Sequence, residues 1–393
     1  MRLLVASRTR GPIGGVESYL RGIVPALVER GHDVAVLFER RLEPAAADGD
    51  SADPYRPCAA EWSVPTDGLA AALAAARAWR PDAVWLHGLE SAALEAGLLE
   101  LAPATLHLHN YDGLCATGER LHRWPAPTPC ARAMGAACVA MNFTRHCGRL
   151  HPAAFAASFQ RQRQRAAAWP RYRRLLVASR HMADAVARSG RAAPPVSVVP
   201  YPLLAPRAEA PPAAEGPPRR LLMLARLTAG KGADVLLRAL ARLQPRLPQP
   251  LSVVIAGDGP EQAPLGRLAQ RLGLQLSLPG WVSAAQRQHL LAASDVLVVP
   301  SLWPEPFGLT GLEAAAQAVP AVAFAVGGIP EWLLPGLTGE LAPAPPSVDG
   351  MASALARLLT DPERWQRQRL AAWQHAAGFN LSGHLAALET LLA

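Results

Sequence analysis

Two glutamates eight positions apart, Glu305 and Glu313, bracket the segment EPFGLTGLE. The run before it, DVLVVP at 295–300, reads as a buried parallel strand stopped by a proline. Residues 309–317 read as a helix. Glu305 is therefore expected in a strand-to-helix loop, and Glu313 in the first turns of the helix that follows. Unpaired amides at a helix start attract anions and hydroxyl oxygens, so this corner suits a phosphorylated or polyhydroxylated ligand. A second strand-to-helix loop carries complementary charge. In ARLTAGKG at 225–232, Arg226 and Lys231 follow a strand expected at 221–225. Arginine grips phosphate oxygens with a planar fork, and lysine acts as a compact point charge, a combination suited to a diphosphate. Lys231 is the only lysine in 393 residues, against 38 arginines. Gly230-Lys231 is not a Walker A loop, because Ala225 stands where the first glycine belongs and Gly232 where Ser or Thr is needed. GDGP at 257–260 lacks the last glycine of a dinucleotide fingerprint, Gln262 standing there, and reads as the tight end of a strand.

The spacing Glu-x7-Glu in the form EPFGLTGLE, with an Arg-Leu…Lys-Gly pair about eighty residues upstream, resembles the donor site of the family 4 retaining glycosyltransferases, the "group 1" enzymes with the GT-B fold. The resemblance implies that Glu313 holds the ribose hydroxyls of a sugar nucleotide. It implies that Glu305 and the backbone of Phe307, Gly308 and Leu309 hold the sugar, and that Arg226 and Lys231 hold the diphosphate. By the same resemblance, His109, in LHLHNY at 106–111, sits beside the donor sugar. Gly14 and Gly15 approach the phosphates, and the backbone of Gly280 and Val282 reads the base. GGIPE at 327–331 corresponds to an acidic loop of structural character. Two departures stand out. Ala225 replaces the usual glycine before the arginine, and Asn110 replaces the usual aspartate after the histidine.

These residues need a scaffold that delivers them to one cleft. Strand and helix patterns alternate through the chain, giving an α/β protein expected as two Rossmann-like, doubly wound domains facing a central cleft. The expected division is an acceptor-side domain at 1–202, a Pro/Ala-rich linker at 203–219 and a donor-binding domain at 220–379. A last helix, at about 380–393, crosses back to the first domain. Strands are expected near 1–6, 33–38, 83–87, 105–109, 174–178 and 196–200, then near 221–225, 251–256, 275–278, 295–300 and 321–324. Helices are expected near 16–30, 69–79, 92–101, 152–168 and 182–188. The glycines at 11–15 follow the first strand, where a missing Cβ admits a ligand.

Half the residues are apolar, enough for a large core, with no apolar run long enough to span a bilayer. The N-terminal run is too short for a signal peptide, so the expected location is cytoplasmic, with peripheral association at the inner membrane face as an option. The net charge is +8, and 151–191 alone hold nine arginines against Asp184. Phe155, Phe159 and Trp169 interleave with them. The stretch at 161–174 could therefore meet anionic lipid or an acidic acceptor, or simply be a solvated face. No nucleic-acid motif accompanies the charge. Cys115, Cys130, Cys138 and Cys147 fall within an unusually long loop after His109. Their spacing is not that of a zinc ribbon. A structural zinc completed by His122 or His146, or free buried thiols, both fit.

The expected activity is retaining transfer of a hexosyl unit from a nucleoside-diphosphate sugar to a hydroxyl acceptor, in the making of surface polysaccharide or glycoconjugate, the acceptor being lipid-linked in one version. No cofactor and no catalytic metal are expected, since Arg226 and Lys231 supply the positive charge. The competing readings are a sugar-nucleotide epimerase or phosphorolytic enzyme on the same fold, and a non-catalytic membrane-docking protein.

Overall fold

The computed structural model describes residues 1–11, 14–41, 53–212, 216–247 and 249–393; Pro12 and Ile13 of the glycine loop and residues 213–215 of the expected linker lie outside them. In the first half the strands are β1 (Arg2–Arg10), β2 (Asp33–Arg41), β3 (Ala60–Ser63), β4 (Ala83–His87), β5 (Ala104–Leu108), the short hairpin β6 (Leu121–His122) and β7 (Thr128–Pro129), β8 (Arg174–Val177) and β9 (Val196–Val198). The second half adds β10 (Arg220–Leu224), β11 (Ser252–Ala256), β12 (Leu276–Gly280), β13 (Val296–Val299), β14 (Ala321–Phe324) and β15 (Gly339–Ala342). They form a seven-stranded sheet, β3-β2-β1-β4-β5-β8-β9, and a six-stranded sheet, β12-β11-β10-β13-β14-β15. All pairings within both sheets are parallel.

An all-parallel sheet needs helices on both faces, and its central strands read as continuous apolar runs. β4, β5 and β14 are buried at every residue. The helix Ala233–Leu243 shows how the covering layer is specified: Leu236, Leu237, Leu240 and Leu243 fall on one face and are buried, while Asp234 in the first turn and Arg242 in the last complement the helix dipole.

Strand order reverses between β1 and β4 in the first sheet and between β10 and β13 in the second. Loops leaving the carboxyl ends of two such strands diverge and open a crevice, where ligands of doubly wound sheets bind. Gly14 follows β1 and His87 ends β4. The Arg226–Lys231 loop follows β10, and the Glu305 loop follows β13. Both crevices therefore face one interdomain cleft. Polar contacts cross it: the Tyr111 hydroxyl donates to the Pro304 carbonyl (2.7 Å), the Ser179 hydroxyl to the Pro306 carbonyl (2.6 Å), and the Arg180 amide to Glu331 (2.7 Å).

The chain between the sheets is not a loose tether where it is described. The Leu203 amide donates to Phe379, the Ala208 amide to Ala316, and Arg207 lies 3.5 Å over the Trp373 ring. The last helix, Leu381–Leu392, packs on the first half of the chain. Tyr19 and the Pro200 carbonyl hold the two ring nitrogens of His384 (2.7 and 2.8 Å), Arg30 makes a two-pronged pair with Glu389, and Arg173 donates to the Ala393 carbonyl (2.6 Å). Burying Leu385, Leu388 and Leu392 adds about 1.5–3 kcal/mol each.

Phe155 and Trp169, which interleave with the arginines of 151–191 in sequence, do not share their face. Both are buried, at 4% and 0% exposure, because they pack inward while Arg161, Arg163, Arg171 and Arg173 stay outside.

Candidate active site at the interdomain cleft

Glycine shapes the loops that carry charge. The helices Gly15–Glu29, Ala233–Leu243 and Leu309–Ala316 begin behind Gly14, Gly232 and Gly308, at φ +131°, +69° and +99°, and none has a side-chain cap. A Cβ at Gly232 would strike the Pro300 carbonyl, so only glycine lets the β10 and β13 loops meet. Among the described residues no hydrogen bond engages the amides of Phe307, Gly308 or Leu309. They are the kind of orphan donors that helix starts present to anions and hydroxyls.

Lys231 and Glu305, 74 residues apart, meet at 2.6 Å with 18% and 12% of their side chains exposed. The Ser301 hydroxyl donates to the same Glu305 oxygen at 2.8 Å, and the Lys231 ammonium lies 4.7 Å from the Trp303 ring centroid. The Glu305 backbone is fixed from behind: the Gly328 amide donates to its carbonyl (2.6 Å), and a Cβ at Gly327 would collide with it. Trp332 fixes the next turn, donating to the Phe307 carbonyl at 2.7 Å and covering Gly308 and Gly311.

Arg226 is exposed and has no ion-pair partner among the described residues, so its guanidinium is available to a ligand. Its loop is held by GDGP. The Leu227 amide donates to the Asp258 carbonyl (2.7 Å) and the Ala225 amide to Ala256 (3.1 Å). Gly257 and Gly259 abut the Ala225 and Leu227 carbonyls so closely that any Cβ would collide.

Glu313 is 13% exposed and pairs with Arg287 at 3.3 Å through one oxygen, while Oε2 is buried without a partner. Burial raises its pKa above the ordinary value, against the pull of Arg287. A carboxylate oxygen buried without a donor costs free energy until one arrives. Gly280 ends β12 at φ +76°, its carbonyl accepting from the Gly257 amide (2.8 Å); Val282 follows the exposed Trp281.

On the facing sheet, Gly15 has open space around it, while the Glu17 side chain folds back over Gly14. His109 is locked. Its Nδ1 meets the Tyr201 hydroxyl and its Nε2 meets His87 Nδ1 (2.7 Å). Burial pushes its pKa down to about 3, so it is neutral at physiological pH. His107 stacks on it at 4.2 Å, on the same side of β5. The ligating nitrogens of His87, His107 and His109 lie within 4.8 Å of one another, a set able to hold a metal ion. Both nitrogens of His107 and Nε2 of His87 are buried without partners. These rings line a cavity of about 130 Å³ together with Arg8, Glu17 and Arg165.

The structure thus joins Lys231 to Glu305 directly and places Arg226, Glu313 and the 307–309 amides on the loops and the helix that leave the same sheet edge. It leaves His109 without a free ring nitrogen. Sequence reasoning missed Ser301, Trp303 and Arg287, each of which touches a charged site residue. Only the position of Ser301 and Trp303 between β13 and Glu305 was a signal; nothing local marks Arg287.

Residues 207–374 match the family described as Glycosyl transferases group 1, and residues 13–203 match Glycosyltransferase Family 4. The chain belongs to the family 4, group 1 glycosyltransferases. Among curated relatives of this glycosyltransferase, the D-inositol 3-phosphate glycosyltransferase of Kribbella flavida is 36% identical over 44% of this chain and 45% of its own length. The glycogen synthase of Mycobacterium tuberculosis is 37% identical over 40% and 38%. The matches thus span under half the length of these relatives. Among solved structures, Anabaena HepE in complex with UDP superposes with a TM-score of 0.69 at 19% identity, covering 100% of this chain and 99% of that one. Sucrose-phosphate synthase of Thermosynechococcus elongatus gives 0.70 at 19%, covering 99% and 98%. The glycosyltransferase therefore has the GT-B fold.

Proposed function

We propose that this glycosyltransferase moves a hexosyl unit, with retention, from a nucleoside-diphosphate sugar to a hydroxyl acceptor in the building of surface polysaccharide or glycoconjugate. The observation that carries the reading is the charge arrangement at the β10/β13 switch point. Lys231 and an exposed Arg226 stand beside an uncapped helix start, with two part-buried carboxylates on the same loop and helix. Support for the donor class comes from relatives. HepE was solved with UDP-glucose, and a Mycolicibacterium smegmatis mannosyltransferase 36% identical over 37% of this chain is GDP-mannose-dependent.

In this reading, charge grows on the departing diphosphate, and Lys231, Arg226 and the helix Leu309–Ala316 stabilise it. Lys231 is paired with Glu305 here, so an arriving diphosphate competes for the ammonium and frees Glu305 for the sugar hydroxyls. Ribose hydroxyls donate to the unpaired Glu313 oxygen. The leaving phosphate takes the acceptor proton on the same face, which needs no separate base. No metal or other cofactor is assigned to this step. His109, with both nitrogens engaged, either shapes the sugar subsite by its ring or exchanges His87 for a sugar hydroxyl.

Membrane attachment has weaker support. No described helix is long and apolar enough to cross a bilayer. Arg161, Arg163, Arg171 and Arg173 remain exposed, whereas Arg165 is turned in to pair with Asp112, and a lipid-linked acceptor is the version of the reading that uses the exposed four.

A thermal-shift panel of UDP, GDP, ADP and dTDP sugars tests the proposal. A rise of several degrees for one nucleotide class, followed by product analysis showing transfer with retained anomeric configuration, is the expected result. No shift with any of them, or interconversion of the donor sugar without transfer, would move the assignment to a docking protein or an epimerase.

A further inference from the structure

A row of polar side chains crosses three buried strands of the first sheet. Ser7 on β1 is the register partner of His87 on β4. His107 on β5 stands one step beyond the Leu86–Leu106 pair, its ring 5.7 Å from that of His87. Side chains in register on neighbouring strands share a face. All three residues are buried, at 1%, 2% and 1% exposure. Four of their polar atoms have no hydrogen-bond partner among the described residues: Ser7 Oγ, His87 Nε2 and both ring nitrogens of His107. Buried polar groups are paired almost without exception, because an unmet donor or acceptor bears its whole desolvation cost. Three such residues side by side therefore call for an occupant that supplies the partners. All three line the cavity of about 130 Å³. At about 30 Å³ per water it takes about four waters, or the hydroxyl-bearing edge of one sugar-sized ring.

The hydrogen-bond chain behind His87 defines what its free nitrogen offers. Tyr201 meets His109 Nδ1, and His109 Nε2 meets His87 Nδ1 at 2.7 Å. A neutral imidazole carries one N–H, so the protons along this chain point one way or the other together. If Tyr201 donates, His87 Nε2 ends the chain as a donor; if Tyr201 accepts, it ends the chain as an acceptor. A hydroxyl group answers either form, and so does the Ser7 hydroxyl beside it. Charge in the wall is already matched. Arg8 pairs with Glu90 at 2.6 Å. Arg165 pairs with Asp112 at 2.5 Å and donates to the Leu89 carbonyl at 2.9 Å. Among the lining residues these two cations face three carboxylates, Glu17, Glu95 and Asp112. An anionic ligand would find no uncommitted cation there and would lose its hydration beside like charge.

Resting on the transfer reaction proposed above, we infer that the row Ser7–His87–His107 is the floor of a subsite for an uncharged polyhydroxylated ring of the acceptor, and that this subsite rejects phosphorylated and carboxylated rings. His87 Nε2 and Ser7 Oγ each take a ring hydroxyl. His109, with both nitrogens engaged, holds His87 in place rather than meeting the ring through a nitrogen of its own. A site built around hydroxyl partners discriminates strongly against a ligand that leaves them unpaired, so specificity resides in this row.

The test is calorimetry and saturation-transfer NMR on the full chain saturated with the nucleoside diphosphate that the thermal-shift panel selects. The neutral probes are the methyl glycosides of glucose, galactose, mannose and N-acetylglucosamine, with myo-inositol. The anionic probes are the sugar 6-phosphates, inositol phosphate and glucuronate. Expected is binding of at least one neutral probe, with its anionic counterpart weaker by about tenfold or more. Ser7→Ala should weaken the neutral probe by about tenfold, while the ligand-free melting temperature holds or rises because an unmet buried hydroxyl is gone. His87→Phe should act in the same direction on binding; where it fails to fold, Ser7→Ala decides. Anionic probes that bind as tightly as neutral ones overturn the inference. So does Ser7→Ala with unchanged affinity, which would leave the row to ordered waters. Nucleotide-saturated protein that binds no neutral probe overturns this inference and leaves the transfer reaction standing. Protein that takes no nucleotide overturns the transfer reaction, and this inference with it.

Discussion

Replacing Lys231 by alanine separates the electrostatic role of the site from its structural role. The ammonium is 2.6 Å from a Glu305 oxygen, with both side chains more than four-fifths covered. Removing it leaves Glu305 with only the Ser301 hydroxyl on that oxygen and removes the contact with the Trp303 ring. A fully buried pair broken in this way costs about 3–5 kcal/mol, and an exposed one about 0–1. At this partial exposure about 2 kcal/mol is expected, seen as a melting temperature a few degrees lower. The kinetic loss is larger. A pre-placed donor on developing oxyanion charge contributes about 10²–10³ in kcat. The double variant Lys231→Ala/Glu305→Gln removes the orphaned charge and should recover most of the melting temperature. It should recover none of the rate. With the donor chosen by the nucleotide panel, nucleoside-diphosphate release at saturating substrate measures kcat, and calorimetry measures stability. If Lys231→Ala keeps its rate within about threefold of wild type while losing stability, the lysine is a structural partner of Glu305 and the leaving-group role is refuted.

Glu313→Gln should raise stability while weakening nucleotide binding at least tenfold, because it removes a buried charge whose Oε2 waits for a donor. Since the folded pKa of Glu313 is raised, wild type loses stability as pH climbs through and above the ordinary carboxylate value; the gap between variant and wild type should be absent at low pH and full at neutral pH. A gap that widened on acidification would contradict this. Burial pushes His109 to about 3 and His384 to about 4, so each contributes stability present above pH 6.5 and lost as pH falls toward 4, at about 1.4 kcal/mol for each tenfold change in proton affinity. The melting temperature should therefore fall between pH 6.5 and 4, less steeply in His384→Gln; an unchanged slope argues that His384 is not held neutral. Gly259→Ala puts a Cβ into the Leu227 carbonyl at φ +153°, so it should cost about 1–3 kcal/mol in melting and displace Arg226, lowering nucleotide affinity with it.

Much of this site is legible in the sequence because its determinants are local. A strand ending at a proline, a glycine turn and a helix place Glu305 and Glu313 without reference to anything distant. The helices expected at 69–79 and 152–168 match Leu69–Trp79 and Pro152–Ala168 residue for residue. β3 and β15 escape a sequence reading because they are short edge strands of four residues whose pairing comes from neighbours. β1 continues to Arg10 because Arg10 pairs with Asp53 and Glu61, 43 and 51 residues away. The same limit hides the engagement of His109. His87 and Tyr201 lie 22 and 92 residues from it, and periodicity carries no information about which ring meets which. Arg287 reaches Glu313 from another helix for the same reason. The inward turn of Phe155 and Trp169 is hidden because charge dominates that stretch, and its few apolar positions carry no local mark of the face they take.

The last helix carries a consequence for how the molecule is made. Helix Leu381–Leu392 supplies the partners of Tyr19, Arg30 and Arg173, yet it begins 183 residues after β9 ends (381 minus 198). On a ribosome the first sheet is complete long before that helix exists. At about 5–20 residues per second the wait is roughly 10–40 s, during which Tyr19 lacks the His384 ring that covers it. Domain-by-domain folding during synthesis would then yield a first half that is formed but unsealed, and closure would follow only once that helix is made. A nascent chain stalled before residue 380 is the species most exposed to chaperones and to aggregation.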